Sequence, residues 1–171
     1  MISNKVRLFI LLLVVLLLVF GCNKNNSDNT KHNLSIYLVK DLSTKEAMSK
    51  NIDELPLETV PVLTDKEIEI YNWKEQTFSI KDGISLEQRL EGKVPLDGKP
   101  FVFVVDGTRM YLGSFWTLIS SLYYPDIPTI NSVWSGKINK SKYTIRYGLE
   151  QQDSRNDKRI YEALKSLGKL D

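Results

Sequence analysis

The sequence predicts an α+β domain in which a largely antiparallel sheet carries helices packed on one side. Three observations lead there. An unbroken apolar run, Phe101–Val105, is followed by Asp106-Gly107 and then by Thr108–Leu112, the composition of two strands joined by a two-residue type I′ turn. Helix-start signals recur at Ser43-Thr44-Lys45-Glu46, Thr64-Asp65-Lys66-Glu67 and Ser85-Leu86-Glu87-Gln88, where a hydroxyl and a Glu or Gln three residues on can satisfy each other's free amides. Near the end, Ile160, Ala163, Leu164 and Leu167 fall on one face of a helix, with Gly168 placed to stop it.

In chain order, Leu34–Val39 is a strand of aliphatic and aromatic residues, and the first capping box opens a helix near Thr44. The second predicts a short turn of helix after Thr64. Ile68–Trp73 and Thr77–Ile80 read as strands around a break at Lys74 and Glu75, and the third box opens a helix of one or two turns that ends near Leu90 or Glu91. Pro95 and Pro100 bracket a turn-rich break. Within the hairpin, strict alternation places Arg109 and Tyr111 on the face opposite Met110 and Leu112. Tyr143, Ile145 and Tyr147 alternate with Lys142, Thr144 and Arg146, as in a strand with one wet face.

The N-terminus has a different character. Lys5 and Arg7 precede an apolar stretch from Leu8 to Phe20, followed by Gly21 and by Cys22, the single cysteine of 171 residues. That stretch is shorter than the ~20 apolar residues of a bilayer-spanning helix. A basic start, an apolar core and a small residue at its end are the order of a secretory signal. With Leu18-Val19-Phe20-Gly21-Cys22 as a lipobox, this region resembles the bacterial lipoprotein precursors. The resemblance implies cleavage before Cys22, a diacylglycerol on its thiol, and a domain held by that lipid on the extracytoplasmic face of the cell membrane. The expected organisation is a signal peptide at 1–21, the lipidated cysteine and a flexible tether at 22–33, and one α+β domain at 34–171. Residues 23–33 read NKNNSDNTKHN, without an apolar side chain to bury. A domain of this length buries ~70% of its unfolded surface, enough for a core that no internal disulfide can staple.

A second resemblance rests on Pro61-Val62-Leu63-Thr64-Asp65-Lys66-Glu67-Ile68 before a strand and Phe103-Val104-Val105-Asp106-Gly107 after a short helix. Together these look like the first extracytoplasmic head subdomain of the SecD translocation subunit. The likeness covers about half of the domain and implies a fold. It implies no transport role for any residue, because the membrane helices that couple SecD-type subunits to export have no counterpart in these motifs.

Charge and composition narrow the chemistry. The chain has 23 Lys plus Arg against 21 Asp plus Glu, and loss of Lys5 and Arg7 with the signal leaves 21 against 21. A neutral domain carries no electrostatic footprint for nucleic acid. The one histidine, His32, lies in the tether and the one cysteine is the lipidation residue, so a Ser-His-Asp triad, a Cys-His pair and a His or Cys zinc site all lack parts. No phosphate-cradling glycine loop or EF-hand spacing occurs, and neither cofactor nor metal is expected. Two catalytic arrangements stay open: a carboxylate pair drawn from Asp82, Glu87, Asp97, Asp106 and Asp126, or Ser166 with Lys169 as a Ser-Lys pair.

The expected function is therefore a noncatalytic binding or accessory domain that meets an envelope protein or a cell-wall component. The alternative is a lipid-anchored enzyme acting on an envelope substrate. The segment 115–128 is dense in aromatics and hydroxyls after a rigid hairpin, and Trp116, Tyr123 and Tyr124, with Arg109 and Tyr111 beside them, form the candidate partner surface. Covering the open side of the sheet is the competing role for Phe115, Trp116, Leu118 and Leu122.

Overall fold

The computed structural model describes residues 31–117, 119–120, 122, 124–130, 142–148 and 153–171. Among them, eight strands form a single sheet: β1 (Leu34–Leu38), β2 (Leu63–Thr64), β3 (Ile68–Asn72), β4 (Thr77–Ile80), β5 (Lys99–Val105), β6 (Thr108–Phe115), β7 (Thr129–Ile130) and β8 (Lys142–Arg146). Their spatial order is β2-β1-β5-β6-β7-β8-β4-β3, and the sheet curls into a nearly closed barrel. The expected antiparallel character holds: β6 with β7 is the one parallel pairing among the described strands. Helices are few and short, namely α1 (Thr44–Met48), α2 (Leu86–Leu90) and α3 (Lys158–Ser166), with 3-10 turns at Ile52–Glu54 and Ser154–Asn156.

Two of the three helix-start signals act as expected. At α1 the Ser43 hydroxyl accepts from the Glu46 amide at 3.3 Å while the Glu46 carboxylate accepts from the Ser43 amide at 2.8 Å. At α2 the Ser85 hydroxyl accepts from the Gln88 amide at 3.2 Å. The middle signal starts no helix. Glu67 Oε2 does accept from the Thr64 amide at 2.8 Å, but Thr64 is already paired with Ser35 across β1 and β2. The reciprocal contact therefore closes a tight turn into β3.

The hairpin forms where Asp106-Gly107 places it. Val105 pairs with Thr108, and Asp106 and Gly107 adopt φ of 50° and 77°, the left-handed pair that a type I′ turn requires. No atom crowds the position of a Gly107 side chain, so Gly107→Val should act through backbone strain alone, lowering stability by about 1–3 kcal/mol. An unchanged denaturation midpoint would contradict this turn. Beyond it the alternation fails. Register steps from Phe103↔Tyr111 to Val104↔Arg109, making Met110 the extra residue of a β-bulge. Arg109 and Tyr111 consequently lie on opposite faces, Tyr111 inside the barrel and Arg109 outside it.

One core cluster draws on all eight strands, on Leu86 and Leu90 of α2, and on Ile160, Ala163 and Leu164 of α3, which fills the barrel interior. A second cluster lies on the outer face, where Val102 and Val104 meet Val39, Ala47 of α1 and Leu55. Helices thus cover both faces of the sheet, contrary to the one-sided packing expected. The cause is legible in β5. Five consecutive apolar residues give a strand two apolar faces, with Phe101, Phe103 and Val105 inward and Val102 and Val104 outward.

The gap between β2 and β3 is spanned by residues 65–67 and locked by Arg89 of α2, which donates to Glu67 Oε1 at 2.6 Å and to the Val62 carbonyl at 2.8 Å. On the β3 side, the chain end supplies the missing neighbour. The Tyr71 amide donates to the Lys169 carbonyl at 2.6 Å and the Asp171 amide to the Tyr71 carbonyl at 3.1 Å.

Candidate functional site

The residues expected to form a partner surface are mostly structural. Tyr111 is 4% exposed and its ring stacks on Phe103 at 4.9 Å between centroids. Trp116 is also 4% exposed, packed 5.6 Å from half-buried Tyr124. Neither ring can present a recognition surface. Arg109 donates to the carbonyls of Ile52 at 2.6 Å and Leu55 at 2.8 Å, pinning the 3-10 turn to the outer face of β6. Burial here has a topological cause: β6 continues to Phe115, beyond the hairpin proper, and Ser114 and Phe115 pair with β7, drawing Trp116 under cover. Cys22 and Tyr123 lie outside the described residues.

The catalytic candidates are likewise engaged or apart. Tyr143 donates its hydroxyl to Glu87 Oε2 at 2.8 Å, and Lys169 Nζ donates to the Ile68 carbonyl at 2.7 Å, away from any role as base for exposed Ser166. Asp82 and Asp126 are exposed and Asp97 half-buried, each at a separate turn. Among the described residues, no three His, Cys, Asp or Glu side chains converge.

What the fold does assemble is a cleft of about 320 Å³ between the β5–β6 turn and the first turns of α3. Val105 and Met110 form its apolar floor, Thr108 its side, Lys158, Arg159 and Glu162 its helical wall, and His32 and Asp106 its rim. Met110 is there because the bulge adds a residue to β6. His32 is there because the end of the segment read as a flexible tether is fixed to the hairpin. The Asp106 amide donates to the Asn33 carbonyl at 3.0 Å, Asp106 Oδ1 accepts from the Asn33 amide at 2.8 Å, and Asp106 Oδ2 lies 2.7 Å from His32 Nδ1. Burial pushes the Asp106 carboxyl up, but the hydrogen bonds from Asn33 and His32 outweigh it and hold the group below its ordinary range.

The charges on the helical wall are unequal in their freedom. Arg159 is bidentate to Asp157, at 3.0 and 2.7 Å, and Asp157 also caps α3 through the Arg159 amide at 2.8 Å. Lys158 and Glu162, one helical turn apart and both exposed, make no ion pair among the described residues. Neither a family model, a curated protein nor a solved structure matches this chain. Chemically, then, the cleft offers an apolar base with one free cation and one free anion at its edge among the described residues, an arrangement suited to holding an amphipathic group.

Proposed function

We propose that this chain is a lipid-anchored extracytoplasmic lipoprotein whose domain binds a ligand in the cleft between the β5–β6 turn and α3. The observation that carries binding is the cleft itself, whose 320 Å³ and apolar floor with a charged rim fall within the range of small-ligand pockets. The anchor rests on Leu18–Cys22 and the basic, apolar stretch before it. Among the described residues no helix is long and apolar enough to cross a membrane, and in this proposal the acyl chains on Cys22 supply attachment, at about 0.8 kcal/mol per buried methylene. The segments that resemble the SecD head form β2 with its turn and the end of β5 with its hairpin, and no transport role is taken from them.

Two measurements test this. Wild type should sediment with membranes and carry acyl mass on Cys22, whereas Cys22→Ala should accumulate as uncleaved precursor; an unmodified thiol on cleaved, membrane-free protein would reject the anchor. For the cleft, Thr108→Trp places a large ring at an exposed rim position. That variant should keep the wild-type melting curve and lose ligand-dependent crosslinks formed in intact cells. Retention of every crosslink would reject the cleft as the binding site.

A further inference from the structure

We infer that the cleft takes a free α-amino acid with an apolar side chain, its carboxylate on Lys158, its ammonium on Glu162 and its side chain on the floor of Val105 and Met110. The inference rests on the cleft as the binding site proposed above and adds to it a ligand class; it is independent of the anchor. The polarity of the cleft sets the pose. Val105 is 4% exposed and Met110 half-buried in the floor, whereas Lys158 and Glu162 stand exposed on the helical wall. A ligand seated here buries an apolar group first and leaves its charges at the rim, where they stay partly hydrated and escape the desolvation that a buried pair suffers. The volume of about 320 Å³ lies at the lower end of the range for small-ligand pockets, room for one side chain of the size of leucine, methionine or phenylalanine.

The charges select a zwitterion. Asp106 is taken by His32 and Asn33, and Arg159 by Asp157, so Lys158 and Glu162 are the wall charges left without an ion pair among the described residues. They stand one turn apart with the lysine on the N-terminal side, the order in which two such side chains pair less well with each other. Lys158 also occupies the first turn of α3, which holds no acid and where the helix dipole disfavours a cation. A carboxylate beside it therefore relieves an unfavourable charge as well as forming an ion pair. An alkyl carboxylate without an amine would bring a like charge toward Glu162, and an alkyl amine would bring one toward Lys158. Roots about 5–6 Å apart let the two flexible side chains close on opposite charges carried by one carbon. That same carbon bears the apolar side chain that descends to Val105 and Met110.

The test uses the full chain, purified in detergent micelles and titrated calorimetrically with L-leucine, L-methionine and L-phenylalanine. At least one should bind saturably, and Thr108→Trp should abolish that binding. The tightest of the three should weaken at least tenfold when its carboxylate is amidated or its amine acetylated, and glycine, which lacks the apolar group, should bind at least tenfold more weakly. Lys158→Glu should weaken the amino acid tenfold or more without weakening its amide, and should melt no lower than wild type, because an acid suits the first turn of a helix. No saturable heat with any of the three, affinities unchanged by amidation or acetylation, tighter binding of the dipeptide leucylglycine, or indifference to Lys158→Glu would each overturn the inference. The cellular crosslinks separate the two proposals. If Thr108→Trp removes them while none of the three amino acids binds wild type, the ligand class alone fails; if they persist in Thr108→Trp, the cleft itself fails.

Discussion

Gly113→Ala is expected to lose about 2–4 kcal/mol, a large effect for a single methyl group. Gly113 lies in β6 opposite Phe101, and the Phe101 ring occupies the space where a side chain would stand. A Cβ built there would overlap Phe101 Cζ and lie 2.9 Å from the Pro128 carbonyl oxygen. The ring is itself held, fully buried and 4.7 Å from Phe115, while Pro128 belongs to the backbone that leads into β7. Neither neighbour can yield cheaply. Urea denaturation of Gly113→Ala, Phe101→Leu and the double variant would show it: the double should recover on the order of 1–2 kcal/mol relative to the sum of the singles. A Gly113→Ala midpoint equal to wild type would mean that the ring does not lie over this glycine.

Arg155→Ala should cost about as much, roughly 2–4 kcal/mol, because it takes the charged partner from a largely buried carboxylate and the guanidinium donor from a strand carbonyl. Arg155 and Asp153 side chains are each 14% exposed and joined by two hydrogen bonds of 2.8 and 2.6 Å. The guanidinium also donates to the Ile145 carbonyl and lies 5.6 Å over the Tyr147 ring, so one side chain ties the 3-10 turn before α3 to β8. The pair has a pH signature. Burial raises the Asp153 carboxyl, but the side-chain and backbone hydrogen bonds of residue 155 together with its charge bring it net below the ordinary value. Arg89 does the same for Glu67 through a hydrogen bond. In both cases the unfolded chain takes up protons at higher pH than the folded one. Their stabilisation is therefore complete above the ordinary carboxylate pKa of ~4 and declines as pH falls below it. Wild type should weaken between about pH 4.5 and 3, and Arg155→Ala, which keeps only the backbone hydrogen bond of residue 155 to Asp153 and loses the guanidinium, should weaken less over that interval. Parallel acid slopes for the two proteins would contradict this role for the pair.

Features carried by local chemistry were legible in the sequence. Asp106-Gly107 specifies its own turn, Ser43 and Glu46 cap their own helix, and the apolar stripe of α3 marks the face that enters the barrel. Features created by distant partners were not. Thr64 and Glu67 have the composition of a helix start, yet pairing of Thr64 with β1 turns them into the closure of the barrel's seam. β2 and β7 are two residues each, too short to show any periodicity. The Met110 bulge shifts every face assignment before it along β6 by one residue and so separates Arg109 from Tyr111, and nothing in Thr108–Leu112 signals it. The cleft was hidden for the same reason. His32 has a polar, asparagine-rich neighbourhood in sequence, and only the placement of Asp106 at a turn tip 74 positions away gives it a wall to form.

The arrangement at the barrel's β3 edge bears on when this protein can fold. Tyr71 finds its backbone partners in Lys169 and Asp171, and the interior is filled by Ile160, Ala163 and Leu164, so a nascent chain still missing its last dozen residues has an open edge and a hollow core. Contacts this remote in sequence also slow the search for the native state. Closure of the barrel thus waits for residues 160–171, however early its strands are made.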